Sequence, residues 1–503
     1  MSTDGQTRRA ARNFSALVAA SILSKGLLFV WQIVLGNLFS PYEYGVYFTV
    51  LSLMSVTTVL ISLGMGIIVI REVARQPQLA GRYWAIALTL QTALSGVAYV
   101  LVLVLALLGG YEPVIVALAA VASLSLIIDM FGNVSYDLLI AQERMAVTSL
   151  VEIAAILLRV GLAAGALAAG WGLLGVYGAT LFSGVVRSAA LVGFNWRSGL
   201  RPQFPVDWAL ARALIRDSLP LMVAALLALS YQHADKLMTT AIIGVRATGY
   251  LAPAYIITFG VIEIVSTTIL LAVFPLLARS LDESRALFGM WVGRLSRFML
   301  VIALPIALSL SIFAAPIIDL LFNEDYTPTV PLLQLLIWAT LCMMIGNVFI
   351  RGLLIQNRQR TSTLIRALCL GVNIALNAAL LVRYRDPRGA ALTTLIAEAL
   401  SLTLLALAFR SEGFQWRAQL AAMSRVLLLG GASGGVMLLA GQMHWVAGLL
   451  AGGGAYVAGL VWGGVLSADD WGFVYRFVGA LPLGTHIQSL WGRVARVPAS
   501  MLD

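Results

Sequence analysis

Apolar runs of about twenty residues, the length that carries an α-helix across a bilayer, follow one another along nearly the whole chain. They fall at 14–36, 45–67, 83–108, 114–136, 148–169, 172–194, 218–242, 249–277, 298–321, 330–355, 362–382, 389–409, 425–442 and 445–466, joined by short polar connections. Inside hydrocarbon only helices and closed barrels satisfy their own backbone groups. Barrel strands would read as ~10-residue segments of alternating polarity, and the sequence has none. The pattern predicts an all-α membrane protein of about fourteen transmembrane helices. Three stretches mix aromatic and charged residues as interfacial helices do: 203–216, 281–297 and the tail 467–503. Plain loops would account for the first two equally well. The last two spans are rich in glycine, which lets membrane helices approach closely, and they read as an accessory hairpin.

Composition agrees with this reading. Sixty per cent of the residues are apolar and 11% are charged, against roughly 25% charged in a soluble domain. The net charge of +10 is dispersed over short loops and forms no nucleic-acid stripe; it suits contact with an anionic leaflet. Cys342 and Cys369 lie inside apolar spans and read as small packing residues. The basic start, Arg8, Arg9 and Arg12, precedes an apolar run with no clear cleavage site, which reads as an uncleaved first helix with a cytoplasmic N-terminus. On that alternation, cytoplasmic turns collect nearly all the loop arginines, as the positive-inside rule requires. Outer turns carry only Arg246 and the cluster Arg383, Arg385 and Arg388. That cluster is the one violation, and the sequence offers no reason for it.

An internal duplication organises the chain. At an offset of 214 residues, 132–150 aligns with 346–364, and the identities include Gly132/Gly346, Asn133/Asn347, Gln142/Gln356 and Arg144/Arg358. With one gap, Tyr111-Glu112-Pro113 meets Tyr326-Thr327-Pro328, and a helix-opening tyrosine recurs, in Tyr44-Gly45-Val46-Tyr47 and again in Gly249-Tyr250. The core is therefore expected as two parallel six-helix halves. The expected boundaries are an N-terminal lobe 1–200, an amphipathic linker 201–217, a C-terminal lobe 218–411, accessory helices 412–466 and a cytoplasmic tail 467–503. Transporters built from such repeats place their substrate between the halves near the midplane.

Charged residues at membrane depth cost at least about 2.5 kcal/mol each on the insertion scale and face a cavity or a partner. The cations Lys25, Arg159, Lys236 and Arg187 form a candidate binding set for an anionic group such as a pyrophosphate, and the carboxylates Asp235, Glu263 and Glu398 a candidate set for a coupling H⁺ or Na⁺. The same residues also read as ion pairs locking helices together. Asn373 and Asn377 share a helix face and read as bonding a neighbouring helix. The duplication aligns Asp137 with Arg351 and Glu152 with Arg366, charges inverted, which marks a candidate cytoplasmic gate. Snorkelling at the interface is the alternative. Neither a resident metal nor a cofactor is expected.

The segment Gly36-Asn37-Leu38-Phe39-Ser40-Pro41-Tyr42-Glu43-Tyr44-Gly45-Val46-Tyr47 resembles the first outer turn of Wzx-type polysaccharide flippases of the multidrug/oligosaccharidyl-lipid/polysaccharide (MOP) exporter superfamily. Asp235-Lys236 followed by Gly249-Tyr250-Leu251-Ala252-Pro253-Ala254 resembles that family's second-half opening. Asn37 stands where the family carries an arginine, so that residue's role does not transfer. The resemblance covers roughly 14–410. It implies movement of a polyprenyl-pyrophosphate-linked oligosaccharide from the inner to the outer leaflet of a bacterial or archaeal plasma membrane, with membrane lipids, a polysaccharide polymerase and glycosyltransferases as partners. A MATE-like exporter of cations would favour acids where Lys25 and Arg159 stand. A lipid II flippase would place several arginines in the first two helices, where Lys25 stands alone. A membrane glycosyltransferase or ligase would need a large outer loop. If the inverted charges form a gate, Asp137→Arg and Arg351→Asp should each impair transport, and the double exchange should restore it. Failure of that rescue in a transport assay removes the gate.

Overall fold

The computed structural model describes residues 24–464. The N-terminal arginines and the amphipathic tail 467–503 lie outside the described residues. Everything regular among the described residues is helical: α1 (24–38), α2 (Pro41–Ser62), α3 (Met65–Arg75), α4 (Ala80–Leu108), α5 (Pro113–Ala122), α6 (Leu124–Ala141), α7 (Met145–Ala168), α8 (Gly172–Arg197) and α9 (Trp208–Ile242), then α10 (Val245–Val261), α11 (Thr268–Glu283), α12 (Arg285–Ile312), α13 (Ala314–Leu321), α14 (Val330–Ile355), α15 (Gln359–Tyr384), α16 (Arg388–Ala408), α17 (Trp416–Gly441) and α18 (Trp445–Trp462). Thirteen segments among the described residues are long and apolar enough to cross a membrane. The remaining expected span, the first, is described only as α1.

Several spans are interrupted. Leu63 and Gly64 adopt left-handed conformations between α2 and α3 (φ 47° and 72°). A π-helical turn, Ile262–Thr267, separates α10 from α11. The two expected surface helices are not separate elements. Asp207 caps α9 by accepting from the amides of Ala209 and Leu210, both at 3.1 Å, and the helix then runs unbroken through Pro220. Residues 281–297 are divided between the end of α11 and the start of α12, which Ser284 caps. Both stretches are the ends of spanning helices, longer than their apolar cores alone indicate.

Two compact units emerge. The first comprises the described residues to Gly260 with Leu321–Leu332 and Arg366–Thr394. Its tightest point is the crossing of α2 and α10. A Cβ on Gly249 would overlap the Pro41 carbonyl, and one on Gly45 would overlap that of Val245. The motif before this crossing now has a local explanation. Ser40 and Glu43 form a reciprocal capping box, with Pro41 opening the helix. Tyr44, fully buried, donates to Gln32 O at 2.7 Å.

The duplicated tyrosines clip in reciprocal fashion. Tyr111 donates to Leu237 O on α9 (3.1 Å), and Tyr326 donates to Phe39 O beyond α1 (3.0 Å). Burial pushes the Tyr111 phenol up to about 12, so it remains a donor at ordinary pH. A hydroxyl chain, Thr49 to Thr240 (2.7 Å) and Thr240 to Thr248 (2.6 Å), ties α2, α9 and α10. At the same end Arg385 donates to Ile242 O, the C-terminus of α9, and Arg388 pairs with Asp386 at 3.8 Å. The arginine cluster that broke the charge rule thus includes one residue that caps a helix, a favoured place for a cation.

The second unit comprises Val261–Leu320, Leu333–Ile365 and the chain from Leu395. Here the glycine-rich hairpin packs on α12. A Cβ on Gly430 would press on Leu304, one on Gly434 would touch Leu308 at 3.4 Å, and one on Gly441 would lie 2.8 Å from Phe313. Tyr456 of α18 donates to Val301 O at 3.0 Å.

The crossing yields a contrast of two substitutions. Gly249→Ala should cost about 3 kcal/mol or more, the upper range for overpacking, because its neighbours are backbone. Gly161→Ala on α7, with nothing within 4 Å, should leave the melting temperature of the purified protein unchanged. Equal melting temperatures for both variants would refute the tight crossing.

Candidate functional site

Two polar constellations lie inside the first unit. The first is a cavity of about 270 Å³ among α1, α6, α7 and α8, lined by Asp129, Asn133, Glu152, Arg159 and Arg187. Arg187 is the organised cation. Its Nε and Nη2 reach Glu152 Oε1 at 2.8 and 2.6 Å, and Nη2 also donates to Asn133 Oδ1 at 3.0 Å. The guanidinium fits because the neighbouring helix carries no side chain there: a Cβ on Gly132 would sit 2.7 Å from Nη1. Gly184 likewise leaves space for Asp129, whose Oδ1 would lie 3.0 Å from an added Cβ. Arg159, half-buried, makes no hydrogen bond or ion pair among the described residues. Glu152 neutralises Arg187, and Arg159 lines the same cavity together with Asp129. Lys25 is exposed, three residues before the lining residue Leu28 on α1.

The second constellation is fully buried. Asp235 accepts from the Tyr255 hydroxyl, from Thr394 Oγ1 and from Asn377 Nδ2, the last at 2.6 Å. Asn377 also donates to Asn373 Oδ1 at 3.1 Å, so this face of α15 does bond a neighbouring helix. Lys236 does not pair with Asp235. Its Nζ donates to Gln232 O at 2.8 Å and lies 4.0 Å above the Tyr255 ring, a cation–π contact strengthened by exclusion of water. Tyr255 therefore serves both charges, its hydroxyl to the carboxylate and its face to the ammonium.

The other candidates are dispersed. Glu263 is exposed on the π-helical turn, and Glu398 is buried on α16. Asp137 lies against Gly66, where an added Cβ would be 2.5 Å from Oδ2. It lines a mainly apolar recess of about 390 Å³ that shares Asp129 and Asn133 with the first cavity. Arg351 lies 5.8 Å from the Phe274 ring, and Arg366 lies 5.9 Å from that of Tyr231. Tyr255 and Thr394 carry no individual signal in apolar helices, whereas the recurrence of Asn133 in the repeat is a signal that marks it out.

This fold is that of a polytopic helical membrane protein, and solved structures share it. The chain is similar to a lipid II flippase MurJ in an inward closed conformation, with TM-score 0.67, 15% identity, and coverage of 88% of this chain and 97% of that one. It is similar to a MATE-family multidrug resistance transporter of the MOP superfamily in an inward-facing conformation, with TM-score 0.60, 17% identity, and coverage of 80% and 96%. A MOP-superfamily transporter from Pyrococcus furiosus gives TM-score 0.53 at 16% identity, covering 83% and 95%. At these identities the likeness establishes the MOP fold. No curated protein matches the sequence. Residues 34–331, more than half the chain, match the family described as polysaccharide biosynthesis protein, and the chain belongs to that family.

The buried constellation makes a sharp energetic prediction. Asp235→Ala strips an acceptor from three donors and leaves Lys236 in a dry site without a counter-charge. It should destabilise the protein by about 3–5 kcal/mol, the cost of breaking a buried charged group's partnership. Asp235→Asn should cost less. Thermal unfolding in detergent measures both, and an unperturbed Asp235→Ala protein would contradict the geometry.

Proposed function

We propose that the protein is a flippase that carries a polyprenyl-pyrophosphate-linked oligosaccharide from the inner to the outer leaflet by alternating access, during polysaccharide synthesis and export. It works as a transporter rather than an enzyme, in the plasma membrane of a bacterium or archaeon with both termini cytoplasmic. The observation that carries this reading is Arg159: a permanent cation within a spanning helix, lining a polar cavity, with no hydrogen bond or ion pair among the described residues. A guanidinium cannot deprotonate to escape the cost of that position. A pyrophosphate supplies the compensating charge and matches its bidentate donor fork. Membership of the polysaccharide biosynthesis family supports a lipid-linked saccharide as the cargo that bears the pyrophosphate.

In this reading Arg187, fixed by Glu152 and Asn133, shapes the cavity and adds a second cation when cargo draws Glu152 aside. Asp235 is the carboxylate suited to a coupling H⁺ or Na⁺, since hydroxyl and amide groups surround it. Polymerase and glycosyltransferases are the partners that would consume and supply the cargo.

Arg159→Gln should lower flipping by roughly 10- to 100-fold, the worth of one charge-assisted bond in a sheltered site, while leaving the melting temperature near that of the wild type. The measurement is the leaflet distribution of lipid-linked oligosaccharide in proteoliposomes, or its accumulation on the inner leaflet of cells carrying the variant. Unchanged flipping by the folded variant would overturn the role of Arg159. Intact translocation with lost polymer attachment would point instead to a ligase.

A further inference from the structure

The second unit contains a cavity that the transport reading does not use. It measures about 690 Å³ and lies where the end of α14, the start of α12 and the turn between α16 and α17 meet. Its rim carries three exposed arginines, Arg285, Arg358 and Arg410, and one carboxylate, Glu412. Its wall is aromatic: Phe414 and Trp416 meet edge to face at 4.6 Å. The turn is pressed tightly onto α12. A Cβ on Gly289 would sit 2.8 Å from Phe414 N, and Gly413 holds the left-handed conformation (φ +76°) that the approach needs.

The three arginines are differently committed. Arg358 donates through Nη1 to Ala408 O at 2.9 Å, which fixes its position and leaves its other N–H donors available. The side chains of Arg285 and Arg410 make no hydrogen bond or ion pair among the described residues; only their carbonyls are used, by Ser411 (2.8 Å) and Gln356 (3.0 Å). The duplication sharpens the contrast. The same turn in the first half, Gln142-Glu143-Arg144, has the same left-handed middle residue (Glu143 φ 58°, Asn357 φ 57°), and Arg144 there bonds the Ser198 hydroxyl. Where the first copy has an acid, the second has Asn357, which leaves the second more cationic.

We propose that this bowl binds the phosphodiester headgroup of an anionic phospholipid in the leaflet at that end of the bundle. Guanidinium groups match phosphate oxygens by their planar fork. Trp and aromatic walls are at home at headgroup depth, and basic pockets between helices at this level take anionic lipid headgroups. The cavity is set at helix ends, where a bilayer boundary falls, and its aromatic wall suits the glycerol and upper chain that accompany a lipid phosphate. The proposal needs the helices to cross a bilayer but does not depend on what the protein transports.

The test is native mass spectrometry of the full-length protein released from mild detergent, with phosphatidylglycerol or phosphatidylcholine added. Wild type should retain phosphatidylglycerol in preference to phosphatidylcholine. Arg285→Gln with Arg410→Gln should weaken that retention roughly thirtyfold, the loss expected for two arginines near a charged surface. Arg144→Gln, the first-half counterpart, should leave it unchanged. If the double variant melts early without lipid, the single Arg410→Gln variant should still show part of the loss. Equal retention of the two lipids, equal retention by wild type and variants, or an equal loss in Arg144→Gln would overturn the proposal. So would protection by inorganic phosphate alone without lipid preference, which would make the ligand a free anion.

Discussion

The near-contact of two backbones at Gly45 and Gly249 is the constraint on which the first unit depends. Each of these residues sits where the other helix's carbonyl leaves no space for a side chain. In a bilayer the hydrophobic effect does not distinguish helix from lipid, so association relies on close packing and on hydrogen bonds. The crossing provides the first, and the surrounding hydroxyls provide the second. Tyr111 and Tyr326 each donate to a backbone carbonyl of the opposite half of the sequence, and the hydroxyls of Thr49, Thr240 and Thr248 link α2, α9 and α10. The charged cavity and the buried Asp235 group belong to the same unit, so the framework that orients them is the one those two glycines permit.

The repeat is physical as well as textual. Arg144 N donates to Leu139 O and Arg358 N donates to Leu353 O, both closing the same left-handed turn. Gln142 and Gln356 then reach across to the following helix or turn, one to Asn195 Oδ1 and the other to Arg410 O. One ancestral turn thus serves two environments. In the first half it is finished by side chains of a helix end, whereas in the second it forms one wall of a basic bowl.

The helices were legible because an apolar run of bilayer length has few alternatives. Their ends were less so: nothing in hydropathy distinguishes residues 208–216 lying on a membrane from the same residues continuing α9 towards it, and the deciding signal was the Asp207 cap. Arg159 and Arg187 were legible as cations at improper depth, but their division of labour was not. It depends on Gly132 and Gly184 vacating space, and a glycine's neighbours cannot be read from its own position. The adjacency of Asp235 and Lys236 was visible, yet their separation by Tyr255 was not, since Tyr255 stands in an apolar segment like many others. In the glycine-rich final pair, Gly430, Gly434 and Gly441 do lie against α12 and the residue that follows it, whereas Gly431 and Gly435 meet open space, a difference that composition alone does not carry.

Regular helix is lost in both crossing helices, at Leu63–Gly64 in one and at the π-helical turn Ile262–Thr267 in the other. An uninterrupted helix is a stiff rod, whereas an insertion or a left-handed residue concentrates bending at one level. Each rod is thus divided into a segment that holds the glycine contact and a further segment beyond its break. A break confines bending to its own level, so the fastening at the two glycines and the interruptions in regular helix occupy separate levels of the same two helices.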